Sequence, residues 1–234
     1  MYVENAAWVR AALGGVDLPE NARAIDVGSS TLHYRTVEQP HVEREVLAPL
    51  RARGVRLTHL DAKADEGVDV IQDLDAATPE LAERVGTFDL VLCVGLLGYV
   101  KEPANTLDVV VSLVGEGGWL VSTTPESYRR TRDPHDNMWR PTARELAAEY
   151  QRRGLEVVRA ESVRIDDSRY YHGLKSRPSW TPLGGRVWLP LPGFTDQLRR
   201  RVPRWRWRES CVLARRGADP LRRAGADAAT TLRV

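Results

Sequence analysis

Apolar positions recur along the chain with two periods, and segments of each kind alternate. Between residues 2 and 13, Val3, Ala6, Ala7, Val9 and Leu13 fall at helical intervals, and Gly14-Gly15 ends the run. Ala24–Val27 is short, apolar and strand-like. Residues 41–53 carry Val42, Val46 and Leu50 on one face, stop at Gly54 and contain Pro49, which predicts a helix bent at the proline. Val55–Leu60 reads as a strand ending at Asp61, and Val68–Ile71 as a short third strand running into Asp73-Leu74. Pro79 opens a short helix over 79–85. Phe88–Val94 is a nearly unbroken apolar run, the pattern of a parallel strand covered on both faces.

From Pro103 onward, Leu107, Val110, Val111 and Val114 mark a core-facing helix that Gly115, Gly117 and Gly118 terminate, with Trp119–Thr123 as the next strand. Thr142 and Glu145 have the spacing of a capping box ahead of a helix to Arg153, closed by Gly154, and Leu155–Ala160 follows as a strand. Residues 161–209 are irregular and rich in Pro, Gly, Trp and Arg; Ser210–Ala214 is a last strand, and 215–234 lacks periodicity and reads as a mobile tail. Strand and helix alternating in this way predict a doubly wound α/β sheet.

Composition narrows the class. The 234 residues suit one sizeable α/β domain, and hydrophobic and charged contents of 42% and 28% are ordinary for a globular protein. No run approaches the roughly 18 apolar residues of a membrane span, and the N-terminus has neither a basic nor an apolar leader region, so cytoplasmic residence is the expectation. Cys93 and Cys211 lie in apolar strands, and no Cys/His spacing resembles a zinc site, so no structural metal is expected. A net charge of +2 argues against an obligatory nucleic-acid partner.

The chemistry gathers at strand ends. Arg23-Ala-Ile-Asp-Val-Gly-Ser-Ser-Thr31 takes a strand through an acid into a turn at Gly28, which has no Cβ to hold a ligand away. Open α/β sheets bind ligands at that edge. Asp61 closes the second strand and Asp73 follows the third. Each also has a structural reading: Asp26 as a fastener of its own loop, Asp61 as a turn residue, and Asp73 as a loop acid among Asp69 and Asp75.

Together these segments resemble class I S-adenosylmethionine-dependent methyltransferases over roughly residues 23–160. Asp26-Val-Gly-Ser-Ser-Thr31 is similar to the family's glycine-rich first motif. Phe88-Asp-Leu-Val-Leu-Cys-Val-Gly-Leu-Leu-Gly-Tyr-Val100 and Gly117-Gly118-Trp-Leu-Val-Ser-Thr-Thr-Pro125 resemble its fourth and fifth strands, and Pro134-His-Asp-Asn-Met-Trp-Arg-Pro141 a pattern of bacterial small-molecule members. The resemblance implies a mostly parallel, seven-stranded Rossmann-like sheet with helices on both faces. It would form one domain over 1–214, with a lid insertion at 161–209 before the last strand.

The resemblance also implies S-adenosylmethionine as cofactor, held by Asp26, Gly28, Ser29, Ser30, Asp61, Ala62, Asp73, Leu74, Cys93, Val94 and Gly95. Asp61 would accept bonds from the ribose diol, Asp73 from the adenine amine, and the loop 28–30 would lie near the methionine end. The expected partner is a small-molecule acceptor; homodimerisation is left open.

Three features depart from the family pattern: Gly-Ser-Ser where further glycines are usual, an intervening stretch Leu32–Pro40 before the next helix, and Gly98-Tyr99 where many members have Glu-His. With that acid/base pair missing, His135 is the first candidate base, with Asp136 to orient it, unless Asp133, His135 and Asp136 only form a turn. His33 and His172 are further candidates, whereas His41 and His59 look structural. Tyr170, Tyr171, Trp180 and Trp188 form either an acceptor wall or the packing of a subdomain. The cluster Arg199, Arg200, Arg201, Arg204, Arg206 and Arg208 with Trp205 and Trp207 suits an anionic acceptor, an anionic membrane surface or a solvated face.

Overall fold

Ile25 and Val27 pack into one apolar cluster and Ala24 into another, so the first strand is buried on both sides and the sheet divides the molecule into two cores. The computed structural model describes residues 1–127, 135–165 and 207–217, together with the backbone of 182–183 and 187–188. The elements are α1 (Val3–Gly14), β1 (Arg23–Val27), α2 (Pro40–Val42), α3 (Ala48–Ala52), β2 (Arg56–Asp61), β3 (Val70–Ile71), α4 (Leu81–Val85), β4 (Phe88–Val94), α5 (Pro103–Ser112), β5 (Val114–Pro125), α6 (Ala143–Arg152), β6 (Leu155–Ile165), a two-strand ladder of β7 (Pro182–Leu183) and β8 (Val187–Trp188), and β9 (Trp207–Arg216).

The main sheet has seven strands in the order β3-β2-β1-β4-β5-β9-β6. β1 to β5 pair in parallel, and β9 runs antiparallel between β5 and β6, so the expected mostly parallel sheet is present. Helices α4, α5 and α6 cover one face, where Leu107, Val110, Leu146 and Tyr150 meet Val91, Cys93 and Val212. The other face meets α1 and α3, with Trp8, Val9, Leu13, Leu47 and Leu50 against Leu90, Leu92 and Val121. No helix among the described residues is long and apolar enough to cross a membrane.

Several boundaries moved. The glycines expected to end α5 are inside β5: Val114 already pairs with Phe88, and the register shifts between Phe88 and Leu90 to absorb the Gly-rich stretch as a bulge. The helix expected over 41–53 begins at Pro40, and its irregular turn is Glu43–Leu47, ahead of Pro49 rather than at it. Proline lacks the N–H that would close an ordinary turn there, and a wider turn carries the chain past it. The expected strand 155–160 extends to Ile165, and the last strand starts at Trp207 and ends at Arg216, because the two form a long antiparallel pair. The irregular insertion therefore cannot begin before 166 or end after 206, and the tail cannot begin before 217. His172, Tyr170, Tyr171, Trp180 and the side chains of Trp188 and the 199–206 cluster lie outside the described residues, as do Asp133 and 218–234. The capping box is as expected: Thr142 Oγ1 accepts from Glu145 N at 3.3 Å, and Glu145 Oε2 accepts from Thr142 N at 2.8 Å.

Candidate cofactor site at the carboxyl edge of the sheet

Register places Asp26 opposite His59, and Asp61 opposite Ile71, so the carboxyl ends of β1, β2 and β3 lie side by side. Asp26 is buried, and its Oδ2 lies 3.3 Å from His59 Nδ1. His59, read from sequence as structural, is thus the side-chain partner of the motif's acid. Its backbone N–H donates to Asp69 Oδ2 at 2.7 Å, which gives that acid a structural role.

The turn after β1 is tied down on several sides. Gly28 N and Ser29 N both donate to Leu60 O, at 2.8 and 3.0 Å. Ser30 N donates to Asp61 Oδ2 at 2.8 Å, and Lys63 N to Asp61 Oδ1 at 3.0 Å. The Asp61 carboxylate is therefore held by one amide on each oxygen, with further lone pairs left for ribose hydroxyls. Gly28 has φ +75°, and a Cβ there would sit 2.7 Å from Leu96 Cδ1. Its glycine is needed for backbone shape and for Leu96, in addition to any ligand.

The stretch Leu32–Pro40 is not a loop, contrary to expectation. Thr31 Oγ1 accepts from Tyr34 N at 3.2 Å, which starts a helical turn at Leu32, and a wide turn over Tyr34–Glu38 continues it, closed by Gln39 N to Tyr34 O at 2.8 Å. Threonine's capping hydroxyl explains the early start. The motif turn thus opens directly into helical structure, as in a dinucleotide fold. His33 stands exposed on this turn.

Asp73 is exposed, and its Oδ1 accepts from Asp75 N at 3.0 Å, capping the turn Leu74–Ala76. Asp75 instead receives Lys101 N at 2.7 Å, tying this turn to the chain after β4. Leu74 is buried in the core, Ala62 is exposed, and Val94 and Gly95 are half-buried at the end of β4.

Cys93 sits apart from the other candidates. It is fully buried beside Tyr150 and Ser122, and burial pushes its thiol up to about 12. Burial raises Cys211 as well, helped by Glu209. Both thiols should resist a thiol reagent at about pH 8 in the folded protein and react on unfolding, since the thiolate is the nucleophile. Because the folded value lies above the unfolded one, their stabilising contribution is complete below the ordinary thiol value of 9.0 and is lost as pH rises from there toward 12. Alkaline titration of denaturation midpoints, compared with a Cys93→Ala variant, measures it.

The segment after β5 clamps the loop after β4. Asn137 N donates to Gly98 O at 3.1 Å, and Asn137 Nδ2 donates to Leu97 O and Val100 O at 2.8 and 2.6 Å. Asp136 is buried, and both its oxygens accept from Arg140 Nη2, at 2.7 and 2.8 Å. Its carboxylate is thereby directed at Arg140, and it also accepts Met138 N at 3.0 Å. His135 is exposed at the start of this segment. Met138 has φ +60° and is 46% exposed, and Tyr99, 38% exposed, follows the Gly98 that Asn137 holds. Non-glycine residues in that conformation occur where surrounding bonds impose it, often at functional sites.

The structure thus places Asp26, Gly28, Ser29, Ser30 and Asp61 side by side at the ends of β1 and β2, with Ser30 bonded to Asp61 and Asp26 to His59, and Asn137 joins the segment of His135 and Asp136 to the loop after β4. Sequence reading missed Asn137, Arg140 and Arg35, whose side chain holds the motif turn from behind. Asn137 and Arg140 were within the quoted Pro134–Pro141 pattern, but nothing marked Arg35 in a chain this rich in arginine.

A model of the methyltransferase domain matches residues 4–160. The chain belongs to the methyltransferase domain family. S-adenosylmethionine is the cofactor of this family, and the Asp61 carboxylate, fixed by Ser30 N and Lys63 N, is an acceptor of the kind a ribose diol needs. A ubiquinone biosynthesis O-methyltransferase of Albidiferax ferrireducens is 33% identical over 101 residues, which is 36% of this chain and 40% of that protein. The chain therefore matches well under two thirds of that relative's length. Among solved structures, a methyltransferase from Geobacter sulfurreducens in complex with S-adenosylhomocysteine has a TM-score of 0.50 at 15% identity, over 90% of each chain. The cyclase SpnF has a TM-score of 0.55 at 14% identity, over 92% of this chain and 82% of that one. At such identities the likeness concerns the fold.

Proposed function

We propose that this methyltransferase domain transfers the methyl group of S-adenosylmethionine to an oxygen or nitrogen of a small-molecule acceptor, such as a sugar or natural-product intermediate. The reading rests chiefly on the Asp61 carboxylate, fixed at the end of β2 by Ser30 N and Lys63 N beside the motif turn. In this reading Asp61 and Ala62 take the ribose, Asp73 and Leu74 the adenine, and Asp26 and the turn 28–30 the amino-acid end. Val94 and Gly95 line the edge toward the acceptor, and Cys93 supports them from the core. The bound cofactor supplies a methyl group on positively charged sulfur. The protein's part is to hold that methyl in line with the acceptor, exclude water and remove a proton where the acceptor carries one.

His135 is the proposed base. Its segment is lashed to the loop after β4, and Tyr99 and Met138 offer apolar surface there for an acceptor. His135→Ala is expected to lower turnover roughly 100-fold or more, while S-adenosylhomocysteine affinity stays within about twofold. Steady-state rates beside calorimetry check this, and unchanged turnover removes His135 from the reaction. His33 is the alternative base if His135 proves dispensable. Cytoplasmic residence and a homodimer remain consistent with this reading.

A second reading, in which the cofactor is bound but no methyl group is moved, is favoured by Gly98-Tyr99 in place of Glu-His. Release of S-adenosylhomocysteine in the presence of candidate acceptors separates the two. A role for the 199–208 stretch in RNA or membrane binding would instead show as steeply salt-dependent binding.

A further inference from the structure

We infer that Arg35 is a positioning residue for the cofactor, a guanidinium buried behind the turn 28–30 that locks it to the chain after β2 and so sets affinity for the amino-acid end of S-adenosylmethionine. The inference rests on the cofactor reading above. Arg35 is 2% exposed, one of the largest fully buried side chains. Its Nη1 donates to Ser30 O at 2.6 Å and Ser29 O at 3.3 Å, and its Nη2 to Gly67 O at 2.8 Å. Its Nε is buried with no hydrogen-bond partner.

A buried guanidinium is a poor way to fill space. Desolvation is costly, and a well-packed apolar side chain is often as stabilising. Burial accordingly lowers the guanidinium's proton affinity, with Asp26, Glu43 and Asp69 acting in the other direction. What an apolar replacement cannot do is bind three carbonyls on two segments at once.

Ser30 shows why that matters. It has φ +57°, a conformation that glycine adopts freely and serine does not. Its peptide groups are held from both sides, the N–H by Asp61 and the carbonyl by Arg35. The pair imposes on a serine the turn that further glycines would adopt unaided.

Gly67 belongs to the same device. It has φ +76°, and a Cβ on it would lie 2.7 Å from Arg35 Nη2, within the space the guanidinium fills. Leu32 N donates to Glu66 O at 2.9 Å alongside, so the two segments are joined on both sides of Arg35.

The test is calorimetry on the full chain with two ligands: S-adenosylhomocysteine, and 5′-methylthioadenosine, which lacks the amino-acid group. Arg35→Met should weaken S-adenosylhomocysteine roughly tenfold or more and leave 5′-methylthioadenosine within about twofold, and Arg35→Lys should recover part of the loss. Gly67→Ala, which disturbs the seat without removing the charge, should show the same selectivity and serves if Arg35→Met does not fold. Equal losses for both ligands, or no loss for either, overturn the inference. A wild-type chain that binds neither ligand removes the cofactor reading and the inference together, whereas wild-type binding with unaffected variants removes the inference alone.

Discussion

Replacing Asp61 with alanine is expected to reduce S-adenosylhomocysteine affinity by at least roughly 100-fold. Hydrogen bonds to a charged acceptor contribute about 1.5–3 kcal/mol each, and a ribose diol makes two of them. The same carboxylate anchors Ser30 N and Lys63 N, so its removal also frees the motif turn. Asp61→Asn tells the contributions apart. It keeps one carbonyl oxygen but presents an NH2 to one of two amide donors, so it should fall between wild type and alanine. Calorimetry measures the loss, and an alanine variant that binds normally would show that the ribose is not held there. Adenine-side variation at Asp73 should have less effect, because Asp73 is exposed and surface bonds of this kind are weaker.

The second large effect concerns stability. The Arg140 and Asp136 side chains are 11% and 1% exposed and joined through both carboxylate oxygens. Arg140→Met should destabilise the fold by about 3–5 kcal/mol, because it removes one member of a buried, doubly bonded ion pair. Adding Asp136→Asn should restore much of the loss. Urea denaturation of the wild type and the two variants measures each step. A single variant as stable as wild type would mean that the pair contributes nothing net.

The frame was legible because burial on both faces leaves a plain trace. Phe88–Val94 could hardly be anything but a central strand, and the Thr142–Glu145 spacing marked its helix start correctly. Errors came where long-range pairing decides the outcome. Val114–Gly118 looks like a helix end because its glycines suit one, yet Phe88 draws Val114 into the sheet. Leu155–Ala160 and Ser210–Ala214 look like short strands because their outer halves carry polar residues, and only their mutual pairing extends them.

The site divides in the same way. Acids at strand ends can be read from position, which is how Asp26 and Asp61 stood out. Partnerships between side chains cannot, so the pairing of Asp26 with His59 and of Asp136 with Arg140 left no trace in the sequence. Arg35 was invisible for a further reason: its partners are the carbonyls of Ser29, Ser30 and Gly67, which only the fold brings together.

The reversal of β9 has a consequence for how such a domain can change. Ile165 and Trp207 face each other in the ladder, so everything between them leaves and rejoins the scaffold within about 5 Å. Those intervening residues, the β7–β8 ladder included, can be exchanged for a longer, shorter or unrelated piece without moving any strand of the main sheet. A lineage could therefore replace this segment while the strand-end cluster around Asp26 and Asp61, at the opposite edge of the sheet, is inherited intact.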